Sequence, residues 1–269
     1  MTTEARYLES DVLDVHVDEY ALVVTLDRPD RANAFDAHTM DELRRLWRKA
    51  AGDAALRAVI ITGAGRAFCA GADMSMLAQD RGDVGDTAAD ELSFLPGPSL
   101  QIPVIAAVNG MCAGGGLHFV ADAEISIAAE SARFVDPHVN VGQVTALEPL
   151  ELLQRMRPDV VIRMALLGRG EVLDASAAHA AGLVSEVVPD AELMPRALTL
   201  ARMIAASSPE AVRVTRRVIR TYQRSLLGAH PDLGWELIQR HRTHPDALEG
   251  PAAFIEKRTP RWSADEGAR

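Results

Sequence analysis

Residues 60–73 read IITGAGRAFCAGAD, and residues 105–118 read IAAVNGMCAGGGLH. Both have one design: a buried β-branched strand, a turn of small residues, and a helix start. Small residues let a ligand approach the backbone closely. Free N–H groups at a helix start attract negative charge. Two such turns facing one point would give two backbone donors to one oxygen, which is an oxyanion hole. Glycines and alanines also permit plain strand–helix packing, so neither segment alone decides between the two readings. A nucleotide-phosphate loop is disfavoured, because neither segment reads GxGxxG or ends in GK[ST].

Outward from these segments the chain reads as α/β. ALVVTLD at 21–27 is a strand, and the alternating DVLDVHVDEY before it is its hairpin partner. A helix starts near Asp36, capped by Asp36 or Thr39, with Met40, Leu43, Trp47 and Ala50 at helical spacing. AVIITG at 58–63 follows, so strand, helix and strand form a βαβ unit with a right-handed crossover. Residues 79–99 are acidic and broken by Gly and Pro, and read as a mobile loop or lid with one helical turn. PVIAAVNG at 103–110 and EISIA at 124–128 are strands, with an extended piece around Phe134. Beyond Thr145 the pattern is nearly all helical, apart from a strand at 183–188. Ser208-Pro209 starts a helix whose Ala211, Val214, Val218 and Tyr222 share one apolar face. Arg213, Arg216, Arg217 and Arg220 of that helix read as a solvated basic face.

The composition sets limits. The chain has 269 residues, 48% hydrophobic and 25% charged, as expected of a globular protein. A net charge of −10 argues against broad nucleic-acid binding. Two cysteines, Cys69 and Cys112, make neither a disulfide framework nor a zinc site. They flank the two small-residue turns, and read as buried core residues rather than as a Cys–His nucleophile. No cluster has metal-ligand spacing, so no metal is expected. With no signal-like segment, and no apolar run approaching about 18 residues, the expected location is cytoplasmic, with no membrane partner.

Four segments occur in a telling order: LDRPDRANAFD at 26–36, AFCAGADMSML at 67–77, PVIAAVNGMCAGGG at 103–116 and EGPAAFIEKRTPRW at 249–262. Together they resemble the enoyl-CoA hydratase/isomerase, or crotonase, family over roughly residues 11–262. The resemblance implies an α/β fold, a spiral of ββα turns with a C-terminal helical trimerisation region. The core would span 1–195 and the oligomerising helices 196–269. It implies an acyl-CoA substrate, with coenzyme A as part of that substrate and no separate cofactor, and a homotrimer or dimer of trimers. By motif position the oxyanion donors would be the N–H groups of Ala72 and Gly115. Arg31, Ala70, Asp73 and Gly114 would lie along the CoA and substrate path. Phe254 and Lys257 would meet CoA near a neighbouring subunit. A lysine frequent in the family two residues after the Asp of AGAD is Ser75 here, so that phosphate contact is either missing or supplied elsewhere, with Arg31 and Lys257 as candidates that fit a solvated surface charge equally well.

The departure from the family lies at its two catalytic glutamates, which here read His118 and His138. Gly115 and His118 are i and i+3 at a helix start and can face one pocket. An unperturbed imidazole titrates near pH ~6.5 and moves protons near neutrality. Asp136, two residues before His138, would orient it from an extended segment, though a solvent-facing loop acid fits equally. Glu148 is a possible further acid, but fits the first turn of a helix better. The expected reaction is hydration of a 2-enoyl-CoA. Isomerisation, decarboxylation, thioester hydrolysis or catalytically silent CoA-ester binding are the alternatives.

Overall fold

The computed structural model describes residues 7–77 and 86–263. Ten strands form two sheets. In chain order they are β1 (Leu13–Asp18), β2 (Ala21–Leu26), β3 (Ala58–Gly63), β4 (Ala67–Cys69), β5 (Val104–Val108), β6 (Met111–Ala113), β7 (Ile125–Ala129), β8 (Arg133–Val135), β9 (Leu173–Asp174) and β10 (Glu186–Val188). The six-stranded sheet runs β1-β2-β3-β5-β7-β10 and the four-stranded sheet β4-β6-β8-β9. Only β1–β2 and β8–β9 pair antiparallel. Three successive pairs, β3–β4, β5–β6 and β7–β8, each lay a longer strand in one sheet and a three-residue strand in the other, which is the expected ββα spiral. In the second sheet, β4 and β6 fall inside the segments that sequence pattern reads as small-residue turns, β8 is the expected extended piece around Phe134, and β9 lies in the stretch read as helical. Three residues are too few to show an alternation, and Gly and Ala hide their burial.

The hairpin forms with Leu13 opposite Leu26 and Asp18 opposite Ala21. Asp36 caps the helix Ala37–Ala51 by accepting from the Thr39 N–H at 2.9 Å. Alternate residues of the parallel strands face two cores, as the pleat requires. Val59, Ile61, Val104 and Ala106 pack with Trp47, Phe68 and Phe119. Ile60, Ile105 and Ile127 pack on Leu193, Ala197 and Leu200. The helix Leu193–Ala205 thus crosses the 195/196 boundary and closes the sheet's second face.

Two sequence expectations are corrected. Residues 79–85 of the anticipated lid lie outside the described residues, but 86–99 form short packed helices rather than a mobile loop. Phe94 is 2% exposed and meets Phe35 at 4.9 Å and Phe119 at 5.6 Å between ring centroids. Its carbonyl accepts from the buried Trp47 Nε1–H at 2.7 Å. Apolar anchoring by Phe94 and Leu95 overrides the Gly and Pro around them. The basic stripe is the second correction. Arg216 is buried, donating to the Leu100 carbonyl at 2.7 Å and lying 2.9 Å from Glu124. Arg220 pairs with Asp122 at 2.9 Å and Glu124 at 2.5 Å. These acids leave the spiral beside the helix Pro209–Leu227, and the two arginines tie that helix down. On its other side, Val214, Val218 and Tyr222 remain exposed. Among the described residues no helix is long and apolar enough to cross a membrane.

Arg216→Ala removes one partner of a buried ion pair and leaves Glu124 less compensated, so it is expected to destabilise the fold by about 3–5 kcal/mol. Arg217→Ala, on the exposed side of the same helix, should stay within about 0.5 kcal/mol of the parent. Urea-unfolding midpoints compare the two, and equal midpoints would refute the tie.

Candidate active site

Two backbone amides come together because two chain segments approach without side chains between them. Phe35 forms a parallel bridge with Ala72. The Phe35 N–H donates to Gly71 O at 2.9 Å, and the Asp73 N–H to Phe35 O at 2.8 Å. That pattern uses the residues on either side of Ala72 and turns its own N–H away. Gly115 sits at the cap position of the helix Gly116–Asp122, where a first-turn N–H has no intrahelical acceptor. Neither the Ala72 nor the Gly115 amide donates to any acceptor among the described residues. Gly71 has φ +88°, and a Cβ there would lie 2.8 Å from both the Ala113 carbonyl and the Gly115 nitrogen. A Cβ on Gly115 would reach 2.7 Å from Phe35 Cζ and 3.7 Å from the Ala72 nitrogen.

Both amides border a cavity of about 410 Å³, whose walls also include His118, His138 and Glu148. His118 is 4% exposed. Its Nδ1 lies 2.7 Å from Glu151 Oε2 and its Nε2 3.1 Å from Glu148 Oε1. The Nδ1 of His138 lies 2.6 Å from Asp136 Oδ1, and its Nε2 3.5 Å from the same Glu148 oxygen. Thr145 Oγ1 donates to Asp136 Oδ2 at 2.6 Å and reaches Glu148 Oε2 at 3.4 Å. One continuous chain therefore runs Glu151–His118–Glu148–His138–Asp136, and Thr145 bridges its last acid to Glu148.

The charges follow from this contact pattern. Burial opposes protonation of both imidazoles, but the adjacent carboxylates outweigh it. His118 is held well above its ordinary value by Glu148 and Glu151. His138 is pushed up to about 9 by Glu148 and Asp136. Burial would raise Glu148, yet the two imidazoliums hold it well below the usual carboxylate range. Burial and the nearby Asp122 and Glu148 charges lift Glu151. The histidines are thus cationic at neutral pH, not poised near their unperturbed value.

Asp136 does contact His138, but through a turn rather than an extended strand. Pro137 has φ −87° and ψ 5°, and Asp136 Oδ1 also accepts from the His138 backbone N–H at 3.3 Å. Glu148 does lie in a helix first turn, that of Leu147–Leu152, and the same turn delivers it to the cavity. Glu151, one helical turn on, shares that face. Sequence reasoning passed over Glu151 and set Glu148 aside. The signal was present in ALEPLELL at 146–153, two acids three apart on an otherwise apolar helix.

Other expected residues stand apart from the cavity. The Asp73 carboxylate is committed to Ser75, at 3.0 Å from its N–H and 2.7 Å from Oγ, and to Arg28 at 3.4 Å. These contacts fasten the turn that follows Ala72. The Ala70 N–H donates to Ala32 O at 3.0 Å. Arg31 is exposed on the short turn Pro29–Arg31. Phe254 and Lys257 are exposed, with the Arg169 guanidinium 5.6 Å from the Phe254 ring. Gly114 supports the His138 ring, since a Cβ there would lie 3.3 Å from its Cε1. Cys69 and Cys112 are fully buried partners on β4 and β6, and burial pushes the Cys69 thiol up to about 12.

An enoyl-CoA hydratase/isomerase family model matches residues 18–265. The chain is 33% identical over 279 residues to mevalonyl-coenzyme A hydratase sidH of Aspergillus fumigatus, covering 97% of this chain and 98% of that one. It is 36% identical over 252 residues to carnitinyl-CoA dehydratase of Proteus mirabilis, covering 90% and 94%. The solved structure of carnitinyl-CoA hydratase from Mycobacterium avium superposes with a TM-score of 0.83 at 30% identity, covering 95% of this chain and 99% of that one. Spiral topology and sequence matches agree over nearly the whole chain, and the protein belongs to the enoyl-CoA hydratase/isomerase, or crotonase, family.

Proposed function

We propose that this chain adds water to, or removes it from, the acyl group of a CoA thioester. The reaction passes through an enolate whose oxygen lies between the Ala72 and Gly115 amides. The observation that carries the reading is the convergence of two unengaged N–H groups on a cavity that also holds a histidine–carboxylate cluster. Such donors stabilise charge developing on the thioester oxygen, and each is worth about 10²–10³ in rate. The cluster supplies proton donor and acceptor from one buried network, so no separate cofactor is needed. Relatives named for mevalonyl-, carnitinyl- and benzylidenesuccinyl-CoA support hydration–dehydration over the other reactions of the family. Those acyl groups carry polar or bulky substituents. The cavity fits that class, with Gln143, Arg242 and Thr243 beside Trp235 and Leu248 on its outer wall. The proposed substrate is a short, substituted acyl-CoA rather than a long alkyl ester. Arg31, Ala70, Asp73, Gly114, Phe254 and Lys257 remain proposed contacts along the CoA path.

Incubation with a panel of 2-enoyl- and 3-hydroxyacyl-CoA esters, read by mass spectrometry, should show gain or loss of one water on a substituted short-chain ester. His138→Ala should lower kcat by about 10²–10⁴ with little change in KM, because the oxyanion donors come from other residues. Binding of CoA esters without any mass change would instead indicate a silent binding protein.

The pH profile has a definite sign. His138 is raised to about 9, so its acid form persists through neutrality and is lost as pH rises through that value. Glu148 is lowered, so it stays ionised well into the acid range. kcat/KM should be level across neutrality and fall near pH 9, and a limb at neutral pH would contradict the cluster.

The apolar face of Val214, Val218 and Tyr222 supports assembly as a trimer or dimer of trimers. Light scattering should give a mass three or six times that of the chain, and a monomer at micromolar concentration would exclude it.

A further inference from the structure

We propose that Glu148 holds and deprotonates the attacking water, that His138 is the proton donor to Cα, and that His118 positions Glu148. This rests on the hydration–dehydration reading and assigns the work within that site differently from sequence position alone.

The geometry separates the two histidines. His118 has both ring nitrogens engaged, at 2.7 Å to Glu151 and 3.1 Å to Glu148, and is 4% exposed. No N–H remains to meet a substrate, so it acts as a clamp between two carboxylates. His138 is anchored only through Nδ1, at 2.6 Å from Asp136. Its Nε2 lies 3.5 Å from Glu148, at the long limit of a hydrogen bond, and its side chain is 19% exposed. That nitrogen is the one with freedom to turn to a reacting carbon. Glu148 and Gly115 border the same cavity as His138.

In hydration, a lone pair of the water oxygen forms the bond to Cβ while one water O–H breaks toward Glu148 Oε1. The C=C π pair moves to Cα and onto the thioester oxygen between the two amides. The enolate pair then takes the Nε2 proton of His138, closing the C–H bond at Cα. Glu148 is left protonated and His138 neutral. The proton crosses from Oε1 to Nε2, because the carboxyl is much the stronger acid, and both groups return to their starting states. Dehydration is the reverse. No oxidant, metal or second co-reactant enters the balance.

Glu91 and Arg242 also border the cavity that His138 and Glu148 line. Asp136 and Glu148 face His138, His118 and His138 face Glu148, and Glu151 stands behind His118 with Asp122 near it. Replacing one therefore moves the others in a known direction.

The test uses the ester that the full-length wild type hydrates, with acetyl-CoA binding as the check that each variant retains its site. Glu148→Gln should lose about 10²–10⁴ in kcat at near-constant KM. Its residual activity should show the alkaline limb moved below 9, since the carboxylate that raised His138 is gone. Glu148→Asp should recover part of the rate, which deletion of a merely structural contact would not. His118→Gln should keep more activity than Glu148→Gln and shift the acidic limb upward, because Glu148 loses one of its two cations. Glu148→Gln within about threefold of wild type in kcat would overturn the proposal while leaving the hydratase reading intact. His118→Gln as inactive as Glu148→Gln, with an unmoved acidic limb, would make His118 the donor and overturn the assignment. A wild type that hydrates no ester would remove both readings.

Discussion

Gly71 and Gly115 bring two strand ends so close that a Cβ on the first would lie 2.8 Å from the nitrogen of the second. The close approach sets the spacing of the Ala72 and Gly115 amides. It also fixes where the helix Gly116–Asp122 begins, and hence where His118 points. The loop before the Phe35–Ala72 bridge is fastened by Asn33, 2% exposed, whose Nδ2 donates to Ala64 O at 2.9 Å and Ala67 O at 2.7 Å. Arg28 adds an ion pair to Asp36 at 2.9 Å. Preorganised donors are effective only if nothing must rearrange when charge develops. Here backbone, rather than flexible side chain, carries them.

The two histidines make sense only together with the three acids around them. An imidazolium buried alone would shed its proton, because desolvation disfavours the charged form. Each histidine instead meets carboxylate at both ring nitrogens, and they share Glu148. A site built on two glutamates presents acceptors until one is protonated. On the proposed roles, this one keeps donor and acceptor at neutral pH at once, with the donor ring held by Asp136. Glu148 therefore stands in the middle of the network, between the two imidazole rings.

Much of the fold was legible because it is locally encoded. The hairpin, the Asp36 cap, the buried strands 58–63 and 103–110 and the small-residue turns each carry their own pattern. Ala72, Gly115, His118 and His138 follow from motif position, and the structure gathers all four on one cavity. Glu148 and Glu151 were hidden because their partners arrive from segments 10 to 33 residues away, and a glutamate in a helix first turn already has a local explanation. Arg216 and Arg220 were hidden for the same reason. Their acids at 122 and 124 lie about 95 residues earlier, and a basic stripe on an amphipathic helix looks solvated until its neighbours are known. Phe94 shows the converse error, where Gly and Pro suggested mobility and one aromatic anchor prevailed.

Division of labour along the chain follows from what borders the cavity. Ala72, Gly115 and the histidines come from the spiral, whereas Trp235, Ile238, Arg242 and Leu248 come from the C-terminal helical region that closes it. Those helices do more than cover the opening. His241 lies 2.8 Å from the Gly142 carbonyl, Gln143 donates to Ala247 O at 2.8 Å, and a Cβ on Gly250 would lie 2.0 Å from the Val141 carbonyl. The segment between His138 and Glu148 is thus held from outside by the elements that shape the acyl pocket. A change in the outer wall that shifts Gly142 or Gln143 reaches the water-holding carboxylate through five or six residues of backbone. On the proposed mechanism, acyl preference and rate are therefore coupled through the 139–147 segment, while the oxyanion amides, anchored at Phe35 and Gly71, are insulated from both.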